Sequence, residues 1–495
     1  MPRARSPAPD RSPAHSCQRN SETRLNRSSR WKWLHRACAV GALALTGCGA
    51  LPVMTPDLGR VDPASVQFQA ANGRILSPES SKEMLAKLGG AESSDVLARH
   101  LALEQAVADG PLVLGNRVVI LENGPNTYAA MFSAIAAARD SINMETYILE
   151  DDEVGQRLAD VLIAKQQQGV QVNLIHDAVG TLGTKKEYFQ RLSDAGINVL
   201  EFNPVNPLVA KAGWDVNQRD HRKLLIVDGR SAVLGGINIS SVYSSSPRGS
   251  SGGGLSGGSR GGDKKGLPWR DTDLLIEGPV VAPLQKLFME TWQGQKGKPL
   301  AQRDYFPPLQ AQGQEVVRAI GSAPDDPFSQ IYVTLISAIN SAESEILVTN
   351  AYFVPDPQLM QALIGAAARG VDVKLILPST TDSSLVFHAG RAHYEPLLRG
   401  GVKLYERREA LLHAKTAVVD GVWATVGSTN LDWRSFLHNQ ELTAVILGKE
   451  FGAKMRAAFE RDLAASEPVT LEAWQRRPLT TRAKELFARL WEYWL

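Results

Sequence analysis

The sequence contains very little cysteine. All three cysteines of the 495-residue chain, Cys17, Cys38 and Cys48, lie within its first 48 residues. No thiol is left in the following residues to form a disulfide, so the body of the protein must be stabilised by its hydrophobic core alone. With 43% hydrophobic and 21% charged residues the composition is ordinary for a globular protein, and the length favours two domains or two halves of one large unit.

Long apolar runs and a strong charge of one sign are also missing. Beyond residue 48, no stretch approaches the roughly 18 apolar residues that a membrane-spanning helix requires. The whole chain has a net charge of +2, and because residues 1–48 hold nine basic and two acidic residues, the rest carries a net charge of −5. A body with this balance is a poor generic binder of polyanions, so we expect no nucleic acid partner.

The first 48 residues have the layout of an export signal. Basic residues between Arg24 and Arg36 precede the short apolar run ACAVGALALTG, which is too short for a stable membrane span. The ending LTGC, residues 45–48, resembles the bacterial lipoprotein box, in which the cysteine becomes the lipid-modified first residue. This resemblance implies lipidation of Cys48 and a place in the bacterial cell envelope, on the periplasmic side. Gly49 in the next position suggests the outer membrane, and an uncleaved signal anchor is the alternative.

The remaining chain divides into an extension and two similar halves. Residues 49–110 form the N-terminal extension, with an amphipathic helix predicted from Ser80 to Ala108. Residues 111–300 and 301–465 each alternate strand-like and helix-like segments. The repeated plan predicts an internal duplication of an α/β unit.

Two segments fall outside this plan. Residues 244–265 are rich in glycine and serine, which predicts a flexible loop; contact of its basic residues with lipid headgroups is the alternative. Residues 466–495 predict a C-terminal amphipathic helix that contains Trp474 and the ending LFARLWEYWL. Packing on the core or a partner is the favoured role of this helix, and insertion at a bilayer interface is the alternative.

One short pattern occurs once in each half. DHRKLLIVDG spans residues 220–229 and LLHAKTAVVDG spans residues 411–421, and each ends in an Asp-Gly pair that predicts a hairpin. With two-residue loops, Gly236 would face His221 and Ser428 would face His413. A carboxamide would lie one pair further along each hairpin, from Asn238 and Asn430. Each half would thus bring an imidazole, an ammonium and a carboxamide together beside a residue small enough to admit a ligand.

Such a set of groups suits a phosphodiester. The ammoniums of Lys223 and Lys415 can donate to phosphate oxygens and neutralise their charge. Histidine can attack phosphorus or protonate a leaving oxygen, because its pKa lies near working pH. One histidine cannot do both on opposite sides of the same phosphorus, whereas His221 and His413 facing each other can. The sequence therefore predicts one shared active site.

The two patterns resemble the signature of the phospholipase D superfamily, H-x-K-x4-D-x6-G-[GS]-x-N. The first copy consists of His221, Lys223, Asp228, Gly235, Gly236 and Asn238, and the second of His413, Lys415, Asp420, Gly427, Ser428 and Asn430. The resemblance covers about residues 115–465. It implies an α/β fold of two lobes, each a mixed β-sheet flanked by helices, with the active site at the pseudo-twofold interface. It also implies a covalent phosphohistidine and no metal or other cofactor.

Within that superfamily the chain is most similar to bacterial cardiolipin synthases. The similarity lies in RDHRK, WRDTDLLIEGP, NAYFVPD and NLDWRSFLHNQEL, which begin at residues 219, 269, 350 and 430. It implies exchange of the headgroup of phosphatidylglycerol at a membrane surface, with His221 as nucleophile and His413 as acid and base. It further implies that Asp271 and Glu441 each hydrogen-bond a catalytic histidine; the alternative is a surface strand end.

Other functions stay open at this point. Water could resolve the same intermediate, which would make the chain a phospholipase D that releases phosphatidic acid. An exported nuclease of the same superfamily and a lipoprotein that binds lipid without catalysis are the further alternatives. The oligomeric state is not indicated.

The remaining residues of the two motifs have less direct roles. Gly236 stands where the second copy has Ser428, which removes one hydroxyl from the expected phosphate cradle. Asp228 and Asp420 are expected to hold the hairpin geometry. His176 and His388, outside the motifs, are expected to be polar loop or strand-end residues and not ligands.

Overall fold

The computed structural model describes residues 66–108, 110–206, 215, 217–247 and 266–495. The signal segment, Cys48 and most of the Gly/Ser insertion lie outside these residues, so what the sequence predicts for them stays a prediction. Among the described residues, no helix combines the length and the apolar character needed to cross a bilayer.

The helices alternate with the strands along most of the chain. They are α1 (Pro78–Val107), α2 (Asn123–Ala137), α3 (Glu153–Gln167), α4 (Lys186–Asp194), α5 (Val281–Gly294), α6 (Gln330–Ser341), α7 (Pro357–Ala368), α8 (Ser384–Arg391), α9 (Tyr394–Arg399), α10 (Trp433–Leu437), α11 (Lys449–Ala464), α12 (Leu471–Gln475) and α13 (Leu479–Arg489). Two 3₁₀ turns cover Ser241–Tyr243 and Glu492–Trp494.

Most of the strands belong to two sheets, one in each half of the chain. They are β1 (Phe68–Gln69), β2 (Leu112–Glu122), β3 (Ser141–Thr146), β4 (Gln171–Asp177), β5 (Asn198–Phe202), β6 (Arg219–Asp220), β7 (Leu224–Val227), β8 (Ser231–Gly235), β9 (Trp269–Arg270), β10 (Thr272–Glu277), β11 (Glu315–Ser322), β12 (Glu345–Asn350), β13 (Asp372–Pro378), β14 (Lys403–Arg407), β15 (Leu411–Leu412), β16 (Lys415–Val419), β17 (Trp423–Gly427), β18 (Asn439–Leu447) and β19 (Ser466–Val469).

The pairing of these strands shows the duplication. In the first half the strands lie in the order β5-β4-β3-β7-β8-β10-β2, and in the second half β14-β13-β12-β16-β17-β18-β11. In each half the outer three strands are parallel and the others antiparallel, so both sheets are mixed. Helices flank them, and the α/β fold of two similar lobes is confirmed.

Helix starts repeat between the halves as well. The Asp152 side chain accepts hydrogen bonds from the backbone N–H groups of residues 154 and 155, and α3 begins directly after it. Asp356 does the same at the start of α7. An aspartate at this position satisfies N–H groups that have no partner inside the helix, which fixes where the helix begins.

Strand β2 joins the two sheets. Its second half pairs with β10 of the first lobe from Arg117 to Glu122, while Val113 and Asn116 pair with β11 of the second lobe. Between the lobes, apolar side chains of both sheets form one buried cluster with Phe288 of α5 and Phe451 of α11. The two lobes therefore share a core.

The N-terminal helix is part of the second lobe. Leu97 and Leu101 of α1 lie in the core cluster of that lobe. Glu104 accepts a hydrogen bond of 2.7 Å from Nε1 of Trp423 and forms a buried ion pair with Arg318. The helix predicted from Ser80 to Ala108 is thus present as α1, and its buried apolar side chains belong to the core of the second lobe.

The register expected for the two hairpins is wrong by one residue. Val227 pairs with Ser231 and Val419 pairs with Trp423, so each loop holds three residues. Asp228 and Asp420 both have φ of 52°, which allows the tight turn, but the third loop residue shifts the partner of every ladder position. Gly236 and Ser428 are therefore not the partners of the two histidines.

The C-terminal segment is not one helix. Residues Ser466–Val469 form β19, which pairs with β14, and two helices, α12 and α13, follow. Pro478 separates these helices because its ring fixes φ and it has no N–H to donate. Trp474 is 4% exposed and packs on Tyr394, as expected for a core residue, whereas the end of the chain exposes many apolar side chains.

Candidate active site

The two motif histidines are anchored by backbone contacts between the lobes. Strand β6, directly before His221, pairs with the first residues of β18 of the second lobe. In the same way β15, directly before His413, pairs with β9 of the first lobe. The N–H of His221 donates to Gln440 O over 2.9 Å, and the N–H of His413 donates to Arg270 O over 2.8 Å. His221 is therefore held beside Glu441, the residue after Gln440, and His413 is held beside Asp271, the residue after Arg270.

Asp271 and Glu441, the carboxylates expected near the histidines, each contact the histidine of the other lobe. Nδ1 of His413 lies 2.7 Å from Oδ2 of Asp271, and Nδ1 of His221 lies 3.1 Å from Oε1 of Glu441. Both carboxylates are fully buried. A carboxylate that accepts from Nδ1–H leaves the lone pair of a neutral imidazole on Nε2 and holds the ring in one orientation.

Glu441 is held by more donors than Asp271. Besides His221, the hydroxyl of Ser428 and the amide of Asn439 donate to it. Burial opposes its ionisation, but the hydrogen bonds from His221 and Ser428, together with the charge of Lys223, keep the pKa of Glu441 below its ordinary value. The Ser428 hydroxyl, expected in a phosphate cradle, instead positions this carboxylate.

Gly236 provides room for Asp271. A Cβ atom at position 236 would lie 2.4 and 2.6 Å from the two carboxylate oxygens of Asp271. The shorter carboxylate therefore has a glycine beside it, and the longer Glu441 has a serine. Burial raises the pKa of Asp271 to about 6, and the nearby charge of Lys415 opposes this effect. The two halves differ in how firmly their carboxylates stay ionised.

The motif lysines are both buried close to the histidines of their own motifs. The ammonium of Lys223 donates to the carbonyl of His221, and that of Lys415 donates to the carbonyl of His413. Burial lowers the pKa of Lys223 to about 7 and also lowers the pKa of Lys415. The charge of Asp271 acts on both lysines, so the charged groups of the two motifs are close neighbours.

Both histidines are nearly inaccessible to bulk water. His221 is 9% exposed and His413 is 6% exposed. Burial, with the charge of Lys223, lowers the pKa of His221 to about 4 although Glu441 opposes the shift. Burial and the charges of both lysines hold the pKa of His413 well below its ordinary value. Both imidazoles are therefore neutral near pH 7, and a neutral imidazole can act as nucleophile or base.

Tyr243 is a site residue that the sequence analysis did not identify. Its hydroxyl lies 3.4 Å from Nδ1 of His413 and accepts a hydrogen bond of 3.2 Å from the amide of Asn238. It thereby links a residue of the first motif to the histidine of the second. Asn430, the counterpart of Asn238, has a buried side-chain oxygen without a hydrogen-bond partner among the described residues. No sequence signal marks Tyr243, because the second motif has a serine five residues after its asparagine.

The motif aspartates lie at the far ends of the hairpin strands. Asp228 accepts from the backbone N–H groups of Arg139, Asp140 and Ser141, directly before and at the start of β3. Asp420 accepts from the corresponding groups of residues 343–345, before and at the start of β12. The hairpin strands separate both aspartates from the histidines, so their contacts tie each hairpin to the neighbouring strand.

The histidines outside the motifs do not join the site. His176 is the next-to-last residue of β4, as expected for a strand-end residue. Its ring is stacked on Phe189, and its Nδ1 lies 2.8 Å from the hydroxyl of Thr181. His388 lies in the helix α8 and not in a loop or at a strand end, which corrects the expectation for this residue. Among the described residues, no group of three or more His, Cys, Asp or Glu side chains is arranged to hold a metal ion.

Comparison with known proteins shows the same duplication and identifies related sequences. The family model described as "Cardiolipin synthase, PLD-like domain" matches residues 131–245 and 335–463, one segment in each lobe. A cardiolipin synthase from Geobacillus sp. (strain WCH70) is 36% identical over 393 residues, which is 79% of this chain and 74% of the relative. Cardiolipin synthase 2 from Bacillus anthracis is 34% identical over 373 residues, 75% of this chain and 69% of the relative.

A solved structure shows the same fold. The phosphatidylserine synthase of Haemophilus influenzae Rd KW20 superposes with a TM-score of 0.58 at 12% identity, over 80% of this chain and 100% of that one. At this identity the likeness concerns the fold alone. The duplicated lobes, the paired motifs and the relatives above agree, and the chain is an enzyme of the phospholipase D superfamily that belongs to the cardiolipin synthase family.

Proposed function

We propose that this protein is a phosphatidyltransferase that converts two molecules of phosphatidylglycerol into cardiolipin and glycerol through a phosphohistidine at His221. The observation that carries the proposal is the reciprocal pairing of His221 with Glu441 and His413 with Asp271. This pairing orients two imidazoles. The reaction requires two, because one must attack phosphorus while the other protonates the leaving oxygen on the opposite side. The relatives that carry the name cardiolipin synthase support the choice of lipid.

The first step transfers the phosphatidyl group to the protein. Nε2 of His221, neutral with Nδ1–H directed at Glu441, attacks phosphorus, and the bond from phosphorus to the glycerol oxygen breaks. His413, protonated on Nε2 once the anionic lipid has bound, gives that proton to the leaving oxygen. Glu441 then stabilises the positive charge that the substituted ring of His221 acquires.

The second step returns both histidines to their starting states. His413, now neutral, takes the proton from a hydroxyl of the second phosphatidylglycerol, whose oxygen attacks phosphorus. The bond between phosphorus and Nε2 of His221 breaks, and cardiolipin is released. Asp271 stabilises the imidazolium of His413 that forms, as the carboxylate does in other acid–base pairs of this kind.

The lysines bind the charge of the substrate. The ammoniums of Lys223 and Lys415 each donate to the carbonyl of the motif histidine and keep further N–H groups. These can donate to the non-bridging oxygens in the ground state and in the transition state. A bound phosphodiester anion would in turn raise the lowered pKa values of both lysines, because a nearby negative charge stabilises their protonated forms.

The predicted envelope location agrees with a lipid substrate. A lipid on Cys48 would hold the enzyme at a bilayer surface, on the periplasmic side, where phospholipid is available without the whole domain being buried. This part of the proposal rests on the sequence of residues 1–48.

The test is to incubate the full-length chain with phosphatidylglycerol vesicles in the presence of EDTA and to resolve the lipids by mass. Cardiolipin with an equal amount of glycerol, absent in a matched His221→Ala preparation, is the expected result. Phosphatidic acid alone would mean that water resolves the intermediate and that the protein is a phospholipase D. Turnover that requires an added divalent cation would contradict a mechanism in which histidines and lysines alone carry the reaction.

A further inference from the structure

The last residues of the chain expose an unusual share of apolar surface. Of the twelve large apolar side chains that are exposed among the described residues, six lie between residues 479 and 494. We call these six the apolar stripe: Leu479, Leu486, Phe487, Leu490, Trp491 and Trp494, which are 48 to 77% exposed. Single exposed apolar residues are ordinary, but a contiguous group of this size marks an interaction surface.

The stripe runs along the outer face of α13 and continues past its end to Trp494 in the last 3₁₀ turn. Glu485 and Ala488, on the opposite side of the helix, are buried against the second lobe. At about 100° per residue, Leu479, Leu486 and Leu490 project in nearly the same direction, away from that buried side. The apolar surface therefore faces outward because the helix buries a different and smaller set of side chains.

Cations border the stripe on both sides. Arg482 and Arg489 lie along one edge of the outer face and Lys484 along the other, and all three are exposed, although Arg489 forms an ion pair of 3.6 Å with Glu492. A central apolar band with basic residues at its borders and tryptophan at one end is the composition of a helix that lies in a membrane interface. Two copies of the chain meeting through the stripe would instead bring these like charges together.

The helix that carries the stripe packs, through its opposite and buried side, on residues that border the active site. Ala488 packs in a cluster with Val354 and the partly buried Tyr352. The ring centroid of Tyr352 lies 6.5 Å from that of His413. The backbone N–H of Arg434, four residues after the second motif, donates to the carbonyl of Leu495 over 3.2 Å. A surface that seats on the stripe would therefore be separated from the side chains that border His413 by about one helix diameter, roughly 10 Å.

We propose that the apolar stripe docks the second lobe on an anionic phospholipid bilayer, with α13 parallel to the surface and its apolar side chains at the boundary between headgroups and acyl chains. The choice of partner rests on the proposed function, because an enzyme that exchanges lipid headgroups needs its pocket at the bilayer. At 11 residues α13 is about 16 Å long and lies along the surface without crossing it.

The test measures partition of the full-length chain onto vesicles, with Cys48→Ser in every preparation so that a lipid at that position cannot contribute. The stripe variant is Leu486→Ser/Phe487→Ser/Leu490→Ser. The matched control is Ile75→Ser/Phe306→Ser, which removes two apolar side chains that are 55% and 51% exposed elsewhere. On vesicles that contain phosphatidylglycerol, the stripe variant should partition about tenfold or more weakly than the parent, and the control within about twofold of it.

A second pair of measurements distinguishes docking from catalysis and from self-association. Turnover of a monomeric short-chain phosphatidylglycerol should be the same in parent and stripe variant, while turnover on vesicles should fall with the partition. Equal partition of the stripe variant and the control would overturn the proposal, and so would a smaller sedimentation coefficient of the variant, which would assign the stripe to a second copy. Absence of turnover on both substrates would contradict the proposed function alone, since the partition result stands without it.

Discussion

Nδ1 of His413 lies 2.7 Å from Oδ2 of Asp271, 142 positions earlier in the chain and in the other lobe. The counterpart is His221 with Glu441, 220 positions apart. Neither lobe contains a complete pair of histidine and carboxylate, so the docking of the lobes orients both imidazoles at once. The duplication therefore yields one composite site, and each half depends on the other for the position of its histidine.

This dependence predicts the effect of removing either carboxylate charge. Glu441→Gln and Asp271→Asn keep the shape of the side chains but permit the wrong tautomer of the histidine, so each should lower kcat by about 10²- to 10⁴-fold. Steady-state kinetics on vesicles measures this, with binding of the lipid as the control. Turnover that is unchanged in either variant would show that the carboxylate has no orienting role.

Asp271 should also set an acidic limit of activity. Its folded-state pKa of about 6 lies above the unfolded value of about 3.9, so on lowering the pH through about 6 the carboxylate becomes protonated and His413 loses its anionic partner. Activity should fall with an apparent pKa near 6. In Asp271→Asn the low residual activity should not show this step, and a pH profile that keeps it would assign it to another group.

The same pKa predicts a gain in stability for Asp271→Asn. Because the folded-state pKa is raised, the contribution of this carboxyl to stability is fully present below about pH 3.9 and is lost as the pH rises through about 6. Removing the charge should therefore increase the free energy of unfolding at pH 7.5 by on the order of 1–3 kcal/mol. Urea denaturation of the variant and the parent at pH 7.5 and pH 4 measures this, and the gain should be smaller at pH 4. A loss of stability at pH 7.5 would contradict the stated burial effect.

Position 236 offers a test of the fit between glycine and Asp271. Gly236→Ala places a Cβ atom where carboxylate oxygens lie 2.4 and 2.6 Å away, so Asp271 must move from His413. We expect loss of activity by about 100-fold or more, with destabilisation of about 1–3 kcal/mol. The matched variant Ser428→Ala removes only a hydroxyl from Glu441 and should reduce activity less, by about tenfold. Equal effects of the two variants would argue against this fit.

The motif aspartates should act on stability more than on chemistry. Burial opposes the ionisation of Asp420, but donors that include His100 and the backbone of Ser344 and Glu343 hold its pKa well below its usual range. A lowered pKa means that the contribution of Asp420 to stability is present above about pH 4 and is lost as the pH falls through the folded-state value. Asp420→Ala should lower the free energy of unfolding at pH 7 by about 2–4 kcal/mol.

Asp228→Ala provides the comparison for that prediction. Asp228 accepts from three backbone N–H groups but has no counterpart of His100 among the contacts that the structure describes. Its replacement should be destabilising by a smaller amount, and protein that remains folded should retain measurable turnover. Fully folded but inactive Asp228→Ala protein would place this residue in the chemistry instead.

Much of the site follows from the sequence because its parts recur. The two motifs, the mixed sheets and the α/β duplication are visible in patterns of a few neighbouring residues. Asp271 and Glu441 can be matched to each other because WRDTD and NQELT occupy the same place in each repeat. The sequence does not reveal that each carboxylate serves the other lobe, since that depends on how β6 meets β18 and how β9 meets β15.

The features that the sequence predicted wrongly or missed all depend on contacts between residues that are distant in the chain or on the length of a loop. The hairpin register depends on one additional loop residue, and Asp-Gly is compatible with loops of two and three residues. The motif alone places the hydroxyl of Ser428 near the phosphate, because its actual partner Glu441 lies on a different strand. Tyr243 and His100 reach their partners only through tertiary packing, over sequence separations of 170 and 320 residues.

The most direct measurement is to locate the phosphatidyl group on the protein. His413→Ala should accept the group from phosphatidylglycerol slowly and fail to pass it on, so that the adduct accumulates and survives an alkaline quench. Peptide mass spectrometry should then find it on the peptide that contains His221, and His221→Ala should carry none. An adduct on His413 in the wild-type protein, or turnover to cardiolipin by His221→Ala, would contradict the role of His221 as the nucleophile.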